Sequence, residues 1–237
     1  MNERAAAIIC AFNEEKTIKS IIRNISVIPE INEIIVINDG SRDSTGQLIK
    51  TIKTEVALTD IHFKENKGKG FAMVKGIKMS TCEYLLFIDA DLTNFTITHA
   101  HQLLAPLIEG KTDMVLGQPG KTLFGYKYNP FKKLTGQRSL RKVDILPIVD
   151  KMKDSRFGVE TLINMYYKAN RKKVKNICLK KLVHPTKFQK TNPVRAIIEF
   201  MAEGVQIFRT VLLNLEILVK PTNTKFLKTI NNKIVIQ

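Results

Sequence analysis

Apolar runs and helical periodicities alternate through the first 118 residues. AAAIICAF (residues 5–12), EIIVIND (33–39), YLLFID (84–89) and DMVLG (113–117) are nearly unbroken apolar stretches. Such runs are what strands covered on both faces require. Between them the period changes. Asn13 is placed to cap a helix from Glu14 to about Ile25, with Ile18, Ile21, Ile22 and Ile25 on one face. Asp43 or Ser44 can cap a second helix ending near Ile52, and a short strand is expected near DIHF (60–63). A helix after the KGKG turn (67–70) and another capped near Thr96 or Thr98 complete the alternation. The expectation is an α/β fold: a Rossmann-like, mostly parallel sheet flanked by helices, with right-handed crossovers. Such sheets bind ligands beyond the carboxyl ends of their strands.

The pattern breaks near residue 119. GQPGKTLFGYKYNPFKKLTG (117–136) reads as an ordered but irregular loop, followed by a helix near Gly158–Asn170 and a basic strand near Lys173–Leu182. From Val194 to Val219 the spacing predicts one long amphipathic helix. Its apolar stripe is Ile197, Met201, Phe208, Leu212, Leu215 and Val219, and its polar stripe is Arg195, Glu199, Glu203, Gln206 and Thr210. The expected organisation is a catalytic domain over residues 1–190, split at 118/119 into two halves, then an amphipathic helix and basic tail over 191–237.

Charge divides the chain in the same place. Residues 1–118 carry 13 Lys+Arg against 15 Asp+Glu, whereas residues 119–237 carry 25 against 7, a net of +18. The second half should face something anionic. There is no apparent transit or signal segment and no run of 18 or more uncharged apolar residues. Cys10, Cys82 and Cys178 are far apart and lack metal-ligand spacing, which suits free thiols in a reducing cytoplasm.

The chemistry-bearing residues sit at the predicted strand tips. Asp89 and Asp91 lie two apart after YLLFI, so both carboxylates can face one ligand, and their repulsion would be relieved by Mg²⁺ or Mn²⁺ shared with a phosphate. AFNEE (11–15) ends the first strand and NDGS (38–41) the second. NKGKG (66–70) combines glycines for close backbone approach with lysines for phosphate charge. It is neither a Walker A loop nor the dinucleotide fingerprint, which disfavours a P-loop ATPase and a dehydrogenase.

In this order AFNEE, NDGS, NKGKG and DADL closely resemble the family-two glycosyltransferases of GT-A fold, in particular the branch of dolichol-phosphate mannose synthase. The resemblance implies that Phe12, Asn13 and Glu14 line a nucleotide pocket, that Asp39 meets the base, and that Lys69 lies near the nucleotide. It implies Asp89 and Ala90 at the sugar, Asp91 on the metal, Gln137 and Arg138 at the diphosphate or acceptor, Glu160 facing the acceptor, and His184 presented to the metal. Asn38 departs from the commoner acid before Asp39.

The function so implied is metal-dependent, inverting transfer of a hexosyl group from a UDP- or GDP-sugar. Glu160 would act as general base if the acceptor is a hydroxyl. The basic second half and the long amphipathic helix point to a lipid-linked acceptor such as a polyprenyl phosphate, and to a peripheral enzyme at the cytoplasmic face of a membrane. The same helix could instead cap the core or build a homodimer. Other readings are a soluble enzyme acting on a small anionic acceptor and a non-catalytic sugar-nucleotide binder. A nucleic-acid module would explain the charge but lacks RNP aromatics, zinc spacing or a helix-turn-helix.

Overall fold

The structure, a computed structural model, describes residues 4–120, 135–183 and 193–218, with side chains from residue 201 onward in the last segment. Elements run β1 (Ala5–Ala11), α1 (Ile18–Ser26), β2 (Ile31–Asn38), α2 (Thr45–Ile52), β3 (Thr59–His62), α3 (Lys69–Met79), β4 (Tyr84–Asp89), α4 (Ile97–Ile108) and β5 (Met114–Pro119). Then come β6 (Arg138–Arg141), the short helices α5 (Lys142–Ile145) and α6 (Val149–Met152), α7 (Val159–Ala169), β7 (Val174–Leu179) and α8 (Pro193–Leu213).

Among the described residues seven strands form one sheet in the order β3-β2-β1-β4-β6-β5-β7. All pairs are parallel except those of β6, which lies antiparallel between β4 and β5. The unbroken apolar character of β1 is explained by its place. It is central, and its side chains alternate between two cores: Ala5, Ala7, Ile9 and Ala11 meet α1, α2 and α4, while Ala6 and Ile8 meet α3 and α7. The run of small alanines lets helices approach closely. Gly76 of α3 takes this furthest, since a Cβ there would lie 2.5 Å from Ile8 Cγ2.

Three features differ from the sequence expectations. Helix α1 begins at Ile18, not Glu14, because Asn13 adopts φ 57° and its side chain accepts the Arg42 amide at 2.9 Å instead of capping the following turn. β6 is not predicted by the sequence pattern, and in that stretch the resemblance implied only roles for Gln137 and Arg138. It is a strand of four residues beginning Arg138-Ser139, whose polar side chains hide the apolar pattern that marks a strand, although both are wholly buried. Finally, α8 ends at Leu213 rather than near Val219. Among the described residues no helix is long and apolar enough to cross a membrane.

Close packing at Gly76 gives a direct test of the α3–β1 contact. Gly76→Ala gains helix propensity, yet overpacks Ile8 and Ile37, a term of about 1–3 kcal/mol. The expected result in urea titration is a net loss of stability, with the midpoint shifted down and the slope unchanged.

Candidate active site

The carboxyl ends of β1, β2 and β4 meet in one cleft, because parallel strands end on the same side of the sheet. The tips are tied to one another by hydrogen bonds. Asn13 N donates to Ser41 Oγ (2.9 Å), Glu14 N to Thr45 Oγ1 (2.8 Å) and Ser44 N to Glu15 Oε2 (3.0 Å). AFNEE and NDGS therefore form a single double loop. Phe12 and Asn13 are exposed on it and Glu14 is half-buried. Asn38 is buried: its Oδ1 accepts the Ser41 amide and its Nδ2 meets His62 Nδ1.

Asp39 is turned to the third motif. Its two oxygens accept the amides of Lys67 (2.7 Å) and Gly68 (2.9 Å), so this acid shapes the NKGKG loop. Burial pushes its carboxyl above the usual carboxylate range, opposed by those two amides. Gly68 has φ 93° and ends the loop, and α3 starts at Lys69. The geometry needs glycine twice: at Gly68 for the positive φ, and at Gly70, where a Cβ would overlap Met152 O and Ser155 Oγ.

That turn aims Lys69 across the cleft. Its Nζ lies 2.7 Å from Asp89 Oδ1 and 2.6 Å from Glu160 Oε1, in the first turn of α7. Burial would lower the ammonium's pKa, but the two carboxylates outweigh it and hold the group well above the usual lysine range. The other oxygen of Asp89 accepts Gln137 Nε2 at 2.6 Å. Gln137 is itself fixed, with Thr135 Oγ1 2.7 Å from its Oε1 and 2.6 Å from Gly117 O. Asp89 rests on the backbone of Gly136, where a Cβ would overlap both carboxylate oxygens. Cys10 pairs with Asp89 across the sheet, and burial pushes its thiol up to about 12, against the pull of Lys69. It is a neutral thiol and not a nucleophile.

Thus Lys69, Asp89, Gln137 and Glu160 are brought together, with Ala90 and Asp91 buried at the following turn. Arg138 is placed differently. It is wholly buried, with Nη2 donating to Thr135 O at 2.6 Å and Nε and Nη1 without hydrogen-bond partners among the described residues. Burial lowers its pKa, countered by Glu160 and Asp89. The guanidinium lies under the acids and offers no surface to a diphosphate. Thr135 and Gly136 were not singled out from the sequence; a glycine directly before Gln-Arg was the only signal. His184 lies outside the described residues. Its neighbour Val183 is bridged to Thr93, two residues past Asp91, by amide–carbonyl hydrogen bonds of 3.0 and 3.2 Å.

Among the described residues no three His, Cys, Asp or Glu side chains form a self-sufficient metal cluster. Two carboxylates at one strand tip still fit Mg²⁺ or Mn²⁺ in chemistry. Such hard cations take oxygen ligands and complete their shell with phosphate and water.

Fold and site together define a GT-A type α/β protein with acids at the carboxyl-terminal tips of its parallel strands. Residues 6–154 match glycosyl transferase family 2, and the chain belongs to that family. It is similar to poly-beta-1,6-N-acetyl-D-glucosamine synthase of Staphylococcus aureus (strain COL), 38% identical over 85 residues, 35% of this chain and 21% of that protein. The protein of the same name from Staphylococcus epidermidis is 33% identical over 91 residues, 38% of this chain and 22% of that protein. The chain thus spans about a fifth of the length of these relatives. In fold it resembles glucosyl-3-phosphoglycerate synthase from Mycobacterium tuberculosis in complex with Mn²⁺, UDP and glucosyl-3-phosphoglycerate. There the TM-score is 0.68 at 20% identity, covering 89% of this chain and 78% of that one. The same enzyme with Mg²⁺ and UDP gives 0.65 at 21% identity, with the same coverage.

Two substitutions probe this arrangement. Gly136→Ala should push Asp89 off its seat, and a misplacement of that size costs about 100-fold in turnover of a nucleotide-sugar. The circular-dichroism melt should move by less than about 5 °C. Lys69→Met should leave Asp89 and Glu160 facing each other without their shared cation, lowering stability by roughly 2 kcal/mol. Chemical denaturation with and without Mn²⁺ should show part of that loss restored by the ion in the variant.

Proposed function

We propose that the chain transfers a hexosyl group from a UDP- or GDP-sugar, with a divalent cation, to a lipid-linked phosphate acceptor at a membrane surface. The observation that carries the transfer reading is the Lys69 bridge between Asp89 and Glu160. It joins a donor-side strand tip to an acid on the acceptor side. The solved fold relatives include complexes with Mn²⁺ or Mg²⁺ and UDP, which supports the choice of cation and donor class.

In this reading the AFNEE and NDGS loops take the base and ribose, with Phe12 exposed for stacking and Asn13 and Glu14 beside it. Asp91 would hold the cation, together with His184 and the donor's diphosphate. When bound, the cation offsets negative charge on the departing diphosphate. Asp89, seated by Gly136 and Gln137 and flanked by Ala90, orients the sugar. Lys69 moves from the two acids toward the phosphates, which frees Glu160. For a hydroxyl acceptor Glu160 accepts the proton as the acceptor oxygen bonds to the anomeric carbon. The carbon–oxygen bond to the diphosphate breaks with its electron pair, and the centre inverts. An ionised phosphate acceptor needs no base, and Glu160 then positions it. Arg138 acts from beneath, as a buried cation that keeps Asp89 and Glu160 in place.

The lipid acceptor and the branch of dolichol-phosphate mannose synthase rest on the four motifs and on the +18 half. The chain would then work as a peripheral protein on the cytoplasmic face. A second reading is favoured by one observation: the fold relatives include a complex with phosphoglyceric acid, a small anionic acceptor.

Thermal-shift titration with UDP-, GDP- and dTDP-sugars, with and without Mn²⁺, tests the donor. One base class should stabilise the protein progressively, by about 2.7 kcal/mol at a hundred times its Kd. Asp91→Ala should abolish the Mn²⁺-dependent part. If no nucleotide-sugar stabilises the wild type in the presence of Mn²⁺, the donor reading fails. Labelled sugar recovered on polyprenyl phosphate, rather than on phosphorylated acids, separates the two acceptors.

A further inference from the structure

Helix α8 turns Gln206 and Thr210 toward the body, beside the half-buried Ile207 and Val211. Gln206 Oε1 accepts the Phe157 amide at 3.3 Å, and the Thr210 hydroxyl donates to Gln206 O at 2.8 Å while lying 3.5 Å from Ser155 O. Thr210 is 5% exposed. The contact is close, since a Cβ on Gly158 would overlap Thr210. The opposite stripe faces outward: Met201 is 69% exposed, Val205 66%, Phe208 64% and Leu212 51%. Their spacing of four, three and four residues keeps them in one row along the helix. Gly204, beside that row, has nothing within 4 Å of a Cβ built on it. An apolar row left exposed on a helix whose Gln206 and Thr210 face the body is the kind of patch that marks an interaction site.

We infer that the outer face of α8 docks onto an anionic lipid bilayer, lying in the plane of the headgroups. Charge selects this occupant over a second copy of the chain. The stretches flanking α8 in sequence, 184–192 and 219–237, hold six lysines and no Asp or Glu, within a half of net +18. Two copies joined through α8 would bring these basic flanks together, whereas anionic headgroups complement them. An interfacial helix of this kind binds through its apolar row and gains from basic neighbours. The inference deepens the lipid-acceptor reading and would hold the cleft near a membrane-borne phosphate.

The test is flotation of the full chain with vesicles of phosphatidylcholine, alone or mixed with phosphatidylglycerol. Wild type should float with the mixed vesicles at least about tenfold more than with phosphatidylcholine alone. The exposed-face pairs Val205→Ser/Phe208→Ser and Met201→Ser/Leu212→Ser should each lose most of that binding. A wild type that stays at the bottom of the gradient overturns the inference. So do variants that float as well as wild type, which would leave lysines alone as the cause. A lipid-free dimer in sedimentation velocity that the same substitutions split into monomers also overturns it, in favour of a second copy. Thermal stabilisation by a nucleotide-sugar, measured on the same proteins, reads donor binding separately. It should be equal in wild type and variants, so docking can fail while the transfer reading stands.

Discussion

The ammonium of Lys69 is the point on which the two halves of the molecule close. It reaches the tip of β4 twenty residues ahead and the start of α7 ninety-one residues ahead. Its aim depends on what precedes it. Asp39 holds the amides of Lys67 and Gly68, Gly68 supplies a positive φ, and Gly70 lets α3 press onto Met152 and Ser155. The double loop of AFNEE and NDGS in turn joins the β2 tip, where Asp39 sits, to that of β1. The strand-tip motifs are thus successive parts of one mechanical chain that ends at a nitrogen atom between two acids.

Electrostatics explains what holds this cluster together. Lys69 and the wholly buried Arg138 offset the charges of Asp89 and Glu160. A buried cation such as Arg138 costs several kcal/mol without such compensation. A diphosphate arriving alone would add negative charge beside these acids and Asp91, and a divalent cation arriving with it would offset that charge. The cation dependence that we propose would then follow from the whole charge set, and not only from Asp91.

Much of this was legible in the sequence, for a physical reason. Strands buried on both faces must be apolar, so a polar residue at the end of such a run marks the tip and the cleft at once. β1, β2 and β4, with Asn13, Asp39 and Asp89 at or just past their ends, were readable in that way. What escaped notice was set by tertiary partners. Asn13 looks like a cap, but its oxygen is committed to Arg42. β6 hides because Arg138 and Ser139 are buried polar groups, the serine donating to Leu103 O. The seat beneath Asp89 is mostly the backbone of Gly136, and a backbone surface leaves only a glycine as its trace.

The orientation of α8 shows a limit of periodicity. A stripe in a helical pattern says that two faces differ, but not which one the fold will take. Here the receiving surface decides. The short 3-10 turn Arg156–Gly158 presents a backbone amide at Phe157 to Gln206 Oε1, while the Ser155 carbonyl just before it already accepts the Gly158 amide at 2.7 Å. An apolar row laid there would forfeit the Gln206 hydrogen bond, about 1 kcal/mol, and would bring bulkier side chains to where Thr210 packs tightly on Gly158. Gln206 supplies the acceptor and the small Thr210 fits, so these two go inward and Met201, Val205, Phe208 and Leu212 are left outside. The exposed face of α8 is therefore a consequence of how α7 begins: the turn leads directly into α7, whose first-turn Glu160 meets Lys69. The surface that we assign to the membrane and the acid that we assign to the acceptor are fixed by the same few residues.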